Sequence, residues 1–142
     1  MQELQKSFQR HVAYKVRISD ILKSNFIKDE QLSAGYIKIN DRIVSRVNVI
    51  ASLVYKFEQP NYASVVIDDG TGKISLRSFD DTNLFLKLDV GDVILVIGRV
   101  REFNGEKYII PEIFKRVSNI EWIRVRNLEL FRGFEKSAVS AN

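Results

Sequence analysis

The clearest signal along the chain is alternation. In residues 73–79, Ile74, Leu76 and Ser78 fall on one side and Lys73, Ser75, Arg77 and Phe79 on the other. A period of two marks a strand with one buried face. Residues 63–68, 93–103 and 106–111 read as further strands, and residues 43–57 form a longer run too rich in Val and Ile for a comfortable helix. Turn chemistry separates these runs: Pro60, the stretch Asp68-Asp69-Gly70-Thr71-Gly72, Val90-Gly91-Asp92 and Asn104-Gly105. Residues 80–88 predict a short helical connection with Leu84, Phe85 and Leu88 on one face.

Five strands, with a helical segment between the third and fourth and a first strand long enough to serve two sheets, is the plan of an OB-fold. An SH3-like barrel is the competitor, but it lacks the connecting helix. The expected class is therefore all-β, a five-stranded barrel over residues 43–115 with a C-terminal helix. Before it lies an arm, residues 1–42. There Met1, Leu4, Phe8 and Val12 suggest a short helix or a frayed end. Residues 14–18 and 36–40 alternate as short strands, one expected to pack on the barrel, and residues 20–29 read as a turn anchored by Ile21, Leu22 and Phe26.

Residues 118–132 change to helical character, and 133–142 read as a tail. Ser118-Asn119-Ile120-Glu121 matches a capping box and Gly133 a stop. Ile120, Trp122, Ile123, Val125, Leu128, Leu130 and Phe131 spread around most of the helix. A barrel covers only one side, so the pattern favours a partner on the other. Scattered exposed apolar residues are the alternative.

Composition narrows the chemistry. The chain of 142 residues has no Cys and a single His, His11, which removes thiol chemistry, disulfides and His metal clusters. No Ser-His-Asp set can be built. The Asp-Asp-Gly-Thr-Gly stretch lacks the Lys-Ser/Thr of a P-loop and the spacing of an EF-hand, and Asp80-Asp81 suits a helix start as well as a cation. Neither an enzyme, a cofactor nor a membrane span is expected. There are 22 Lys and Arg against 18 Asp and Glu. Residues 43–111 hold 8 basic and 9 acidic side chains, so any polyanion site there depends on charge placement. Phe79 is in phase with Arg77 and Lys73. Phe103 is in phase with Arg101 and Arg99, with Lys107 just past the turn. Rings interleaved with cations suit unpaired bases and phosphates. The pattern alone equally allows both rings to be core residues at strand ends.

Residues 65–74, Val-Val-Ile-Asp-Asp-Gly-Thr-Gly-Lys-Ile, with Leu76-Arg77-Ser78-Phe79-Asp80-Asp81, resemble the OB domain of the replication protein A middle-subunit family, especially its archaeal versions. Residues 93–107, 43–54 and 16–22 continue the likeness, which covers roughly residues 14–130. The resemblance implies single-stranded DNA binding in replication, repair and recombination, with Phe79 and Phe103 stacking on bases. Lys73, Arg77, Arg99, Arg101 and Lys107 would then contact phosphate. It also implies that the helix joins two other subunits through Trp122, Ile123, Val125, Leu128, Leu130 and Phe131. Location would be cytoplasmic and nucleoid-associated in an archaeon, nuclear in a eukaryote. Two departures stand out. Family members often carry a winged-helix domain after the helix, whereas this sequence stops at Asn142, and Phe79 stands where Trp sometimes stacks. A scaffold subunit with little DNA binding, a Stn1-type telomere-capping protein and an RNA-binding OB module are the alternatives.

Overall fold

The structure, a computed structural model, describes residues 12–29 and 34–140. His11 and most of the N-terminal arm pattern lie outside the described residues. Among the described residues nine strands and two helices follow in order: β1 (Ala13–Lys15), α1 (Ile18–Lys23), β2 (Phe26–Asp29), β3 (Ala34–Ile39), β4 (Arg42–Val44), β5 (Arg46–Glu58), β6 (Ala63–Asp68), β7 (Lys73–Ser78), β8 (Val93–Phe103), β9 (Glu106–Arg116) and α2 (Glu121–Ser140).

Strands β5, β6, β7, β9 and β8 pair in that order, and β8 pairs back to β5, so the sheet closes on itself. This is the expected all-β OB-fold. One strand can serve both ends because β5 is long and bent. Its first half, Arg46 to Ser52, pairs antiparallel with β8, and its second half, Ser52 to Glu58, with β6. A register shift between Leu53 and Tyr55 marks the bend. There Leu53, paired with Ile67 of β6, also bonds the 89–92 turn that precedes β8: Leu53 N–H donates to Asp92 O at 2.8 Å, and Gly91 N–H to Leu53 O at 2.8 Å. Strand β1 adds to β5 in parallel, and β2, β3 and β4 form a separate three-stranded sheet.

The core follows the alternation. Val47, Val49, Ala51 and Leu53 of β5, Val65 and Ile67 of β6, Ile74 and Leu76 of β7, and Ile94, Val96, Val100 and Ile109 of the last hairpin are all buried. Ile18 and Ile21 of α1 belong to the same cluster, as do Phe85 and Leu88. Asn104 and Gly105 both have positive φ (51° and 77°) and close the β8–β9 hairpin as a two-residue turn.

Several local expectations are corrected. Ile18 begins helix α1 instead of ending a strand, and residues 26–29 are strand rather than turn. Residues 80–88 form successive turns, not a helix, with Leu84, Leu86 and Leu88 N–H donating to the carbonyls three residues back. The Asp81 carboxylate takes Asn83 N–H for a local turn that competes with a helical start. The Asp-Asp-Gly-Thr-Gly stretch anchors α1: Asp69 Oδ2 accepts Ile18 N–H at 2.9 Å and Thr71 Oγ1 accepts Ser19 N–H at 3.1 Å. Asn119, not Ser118, caps α2, its Oδ1 accepting Glu121 N–H at 2.9 Å, and α2 runs past Gly133 to Ser140. Glycine within a helix costs only about 1 kcal/mol, a weak stop.

Candidate nucleic-acid interface

Cross-strand partners in a sheet project to the same face. Val65 pairs with Leu76 and Ile67 with Ile74, all inside the barrel. Their neighbours therefore face out. One outward row runs Val66, Ser75, Tyr108, Arg101 across four strands, and Ser64 pairs with Arg77 in the next.

Phe79 and Phe103 both lie on this outer surface. They are 49% and 64% exposed, so the reading of both rings as core residues falls. Phe79 packs at a tilt of 35° against Tyr62, 5.5 Å between centroids, and meets Tyr108 edge-on at 6.3 Å. The Arg77 guanidinium lies 4.5 Å over the Tyr108 ring. Arg77 Nη2 is 3.2 Å from Glu106 Oε1, and Glu106 pairs with Phe103 across the hairpin. Phe79, Tyr108, Arg77, Glu106 and Phe103 thus form one connected surface, with Arg101 beside Tyr108. Each ring edge and face holds its neighbour in place, which leaves flat apolar area presented to solvent.

The other proposed cations fare differently. Lys73 points outward at the far end of β7, opposite Asp68. Arg99 faces out on β8 but pairs across strands with Arg46. Glu112 Oε1 sits between them, accepting Arg46 Nε at 2.8 Å and lying 4.0 Å from Arg99 Nε. Lys107 is a correction. It alternates against Tyr108, so it turns to the other side, where its Nζ donates to Leu22 O at 3.3 Å and lies 3.9 Å from Glu102. Little of its side chain reaches solvent. Tyr108, and not the lysine just past the turn, takes the outward place beside Arg101. Tyr62 and Tyr108 were missed as site residues. The two-residue Asn104-Gly105 turn, once its register is worked through, sets Tyr108 opposite Arg101. Tyr62 lies in a turn, where alternation gives no direction.

Helix α2 is divided between two environments. Arg126, 6% exposed, donates from Nη1 to Asn48 O at 3.1 Å and from Nη2 to Asn48 Oδ1 at 2.9 Å, fastening the helix to β5. Burial lowers its pKa, opposed by the nearby Glu129 carboxylate. Glu129 also takes a hydrogen bond from Lys15 of β1. Ile123 lines a cleft with Ile50 and Val93, Leu130 one with Tyr14 and Val44, and Trp122 one with Ile50 and Leu95. All three were expected to face a partner; Ile123 and Leu130 are half-buried on the barrel side, and Trp122 sits at the edge of that side. Ile120, Trp122, Val125, Leu128 and Phe131 remain exposed.

Among the described residues no cluster of His, Asp and Glu could hold a metal ion, and no helix is long and apolar enough to cross a membrane. The sequence pattern of the tRNA anti-codon family, an OB-fold nucleic acid binding domain, matches residues 36–117. An uncharacterized protein of Methanocaldococcus jannaschii is 30% identical over 121 residues, 85% of this chain and 48% of that one. A 32 kDa replication protein A subunit of Oryza sativa subsp. japonica is 26% identical over 115 residues, 73% of this chain and 38% of that one. The chain thus spans less than half the length of these curated relatives. Among solved structures, a replication protein A heterotrimer bound to ssDNA has a chain similar at TM-score 0.74 and 15% identity, covering 89% of this chain and 98% of that one. A chain of the S. pombe Stn1-ten1 complex is similar at TM-score 0.78 and 14% identity, covering 92% and 98%. At these identities the structural likenesses establish the fold.

Proposed function

Because the chain belongs to the OB-fold nucleic acid binding domain family, we propose that it binds single-stranded DNA on the outer face of β7, β9 and β8, as a subunit of a replication protein A-like assembly. The observation that carries this reading is the exposed Phe79, braced by Tyr62 and Tyr108 beside Arg77, with Phe103 on the same surface. Phe79 and Phe103 take the faces of unpaired bases; Arg77, Arg101 and Lys73 take phosphates. Arg99 and Lys107 contribute less, being engaged by Glu112 and by Leu22 O. Nothing in this role requires a bond to be made or broken.

The test is a fluorescence titration with oligo-dT at several salt concentrations. Stacking is worth about 1–3 kcal/mol per base, so Phe79→Ala and Phe103→Ala should each weaken binding roughly five- to 150-fold while the melting temperature holds. Three phosphate contacts predict a log–log salt slope of about −2. Unchanged affinity in the double variant refutes the site.

A second reading is favoured by α2. Its exposed Trp122, Val125, Leu128 and Phe131 suit packing against helices of other subunits, so the chain also holds an assembly together. A Stn1-type assembly would use the same two surfaces. If the oligo-dT titration is flat while partner binding persists, the scaffold role alone remains. Competition with the matching RNA separates a DNA subunit from an RNA-binding module.

A further inference from the structure

The inward residues of the first half of β5 are the odd-numbered ones: Val47, Val49, Ala51 and Leu53, all buried. Continued without interruption, this alternation would carry Tyr55 and Phe57 into the barrel and leave Lys56 outside. That is also what hydrophobicity favours. The structure does the opposite. The register shift between Leu53 and Tyr55 reverses the phase, so Tyr55 pairs with Val66, Phe57 with Ser64, and Lys56 with the fully buried Val65. Tyr55 and Phe57 end 53% and 42% exposed, their centroids 4.3 Å apart. The ammonium of Lys56 is partly buried and donates to Leu88 O at 2.6 Å. A bulge that turns two rings out and one lysine in works against burial of apolar area, and bulges of this kind re-aim side chains at working surfaces.

The surface they reach is the one already described. Phe57, Ser64 and Arg77 form one cross-strand row, and Tyr55, Val66, Ser75, Tyr108 and Arg101 the next. Ser64 and Ser75 lie between the ring pair and the Arg77–Tyr108 stack; both are small and covered by their neighbours. At about 4.8 Å per strand, β5 lies some 10 Å from β7 and some 19 Å from β8, measured across the sheet.

We propose that Tyr55 and Phe57 form a second stacking platform for single-stranded nucleic acid, extending the interface from β7 across β6 onto β5. The proposal rests on the DNA-binding reading above. It adds two contact residues and a direction: a strand lying on Phe103 and Phe79 continues over the two serines and places further bases on the β5 pair.

The experiment titrates the full chain with labelled oligo-dT from about 4 to 16 nucleotides, the range one such barrel covers. In the wild type, affinity should climb with length and then level off. In Tyr55→Ala/Phe57→Ala the shortest oligonucleotides that bind should do so as before, while long ones lose about tenfold or more and the plateau comes earlier. Phe79→Ala/Phe103→Ala should lose affinity at every length. The exchange Tyr55→Phe/Phe57→Tyr, which keeps both rings, should restore the wild-type profile and controls for folding. If the β5 alanine pair leaves the whole profile unchanged while the Phe79/Phe103 pair loses binding, the second platform is overturned and the first site stands. If the wild type binds no length, both fall.

Discussion

Arg77 shows how much a single contact can set. Its guanidinium lies over Tyr108 and 3.2 Å from the carboxylate of Glu106, whose side chain is mostly in solvent. With Glu106 mostly in solvent, the pair adds little to folding. It does place a negative charge where a phosphate would arrive, so Glu106→Gln should raise affinity for oligo-dT several-fold at low salt, and the gain should fade as salt rises. The same titration with Glu106→Gln checks this, and weaker binding would contradict it. Asp92 is a second case, away from the interface. Its carboxylate accepts Asp89 N–H at 2.8 Å and lies 3.0 Å from Arg116 Nη2. The backbone hydrogen bond, aided by Arg116, holds its pKa below the usual carboxylate value. A carboxylate depressed on folding stabilises the protein above its unfolded pKa, and that stabilisation disappears as pH falls through the lower folded value. The melting-temperature difference between wild type and Asp92→Asn should therefore be constant near neutrality and shrink on acidification through the carboxylate range.

At the scale of elements, the short helix α1 depends on a turn far away in sequence. Six residues do not make a stable helix alone. Two of its N-terminal amides are satisfied by Asp69 and Thr71 of the β6–β7 turn, and its Ile18 and Ile21 are completely buried. Gly72 of the same turn also lies close to the helix, a Cβ there falling 3.0 Å from Leu22 Cδ1 and 3.3 Å from Ile18 Cγ2. Asp69→Ala removes the acceptor for Ile18 N–H and should cost about 0.5–2 kcal/mol by denaturant unfolding, the usual worth of a helix cap. DNA affinity should hold, since Asp69 is outside the aromatic surface. A stretch that looked like ordinary hairpin punctuation thus ties the N-terminal segment to the barrel. Its second role was hidden because the partner amides lie about fifty residues earlier.

For the molecule as a whole, the question is what lies against α2. Arg126 and Asn48 fix the helix to β5, which leaves Val125, Leu128 and Phe131 exposed on the rest of its surface and Trp122 exposed at the barrel edge. Burying such side chains is worth about 1.5–3 kcal/mol each, enough for several together to drive association. Leu128→Glu should therefore lower the concentration-dependent association of the chain, or its capture by partner subunits, without changing the melting of the barrel. Sedimentation velocity against concentration is the measurement. Association insensitive to Leu128→Glu would place the contact elsewhere.

What the sequence determined by itself is whatever local chemistry and a period of two can specify. That includes the five barrel strands, the hairpin at Asn104-Gly105, and the shared phase of Arg77 with Phe79 and of Arg101 with Phe103. These depend on steric preference and on burying one face of each strand, both properties of neighbours in the chain. Only the tertiary structure decided the rest. It showed that Phe79 and Phe103 are exposed, that Tyr108 and not Lys107 joins them, and that Ile123 and Leu130 face the barrel. It also showed that β5 changes phase after Leu53. Each of these depends on register across strands or on a close approach between distant segments. One slipped residue exchanges the two faces of a strand, and nothing within that strand records the slip.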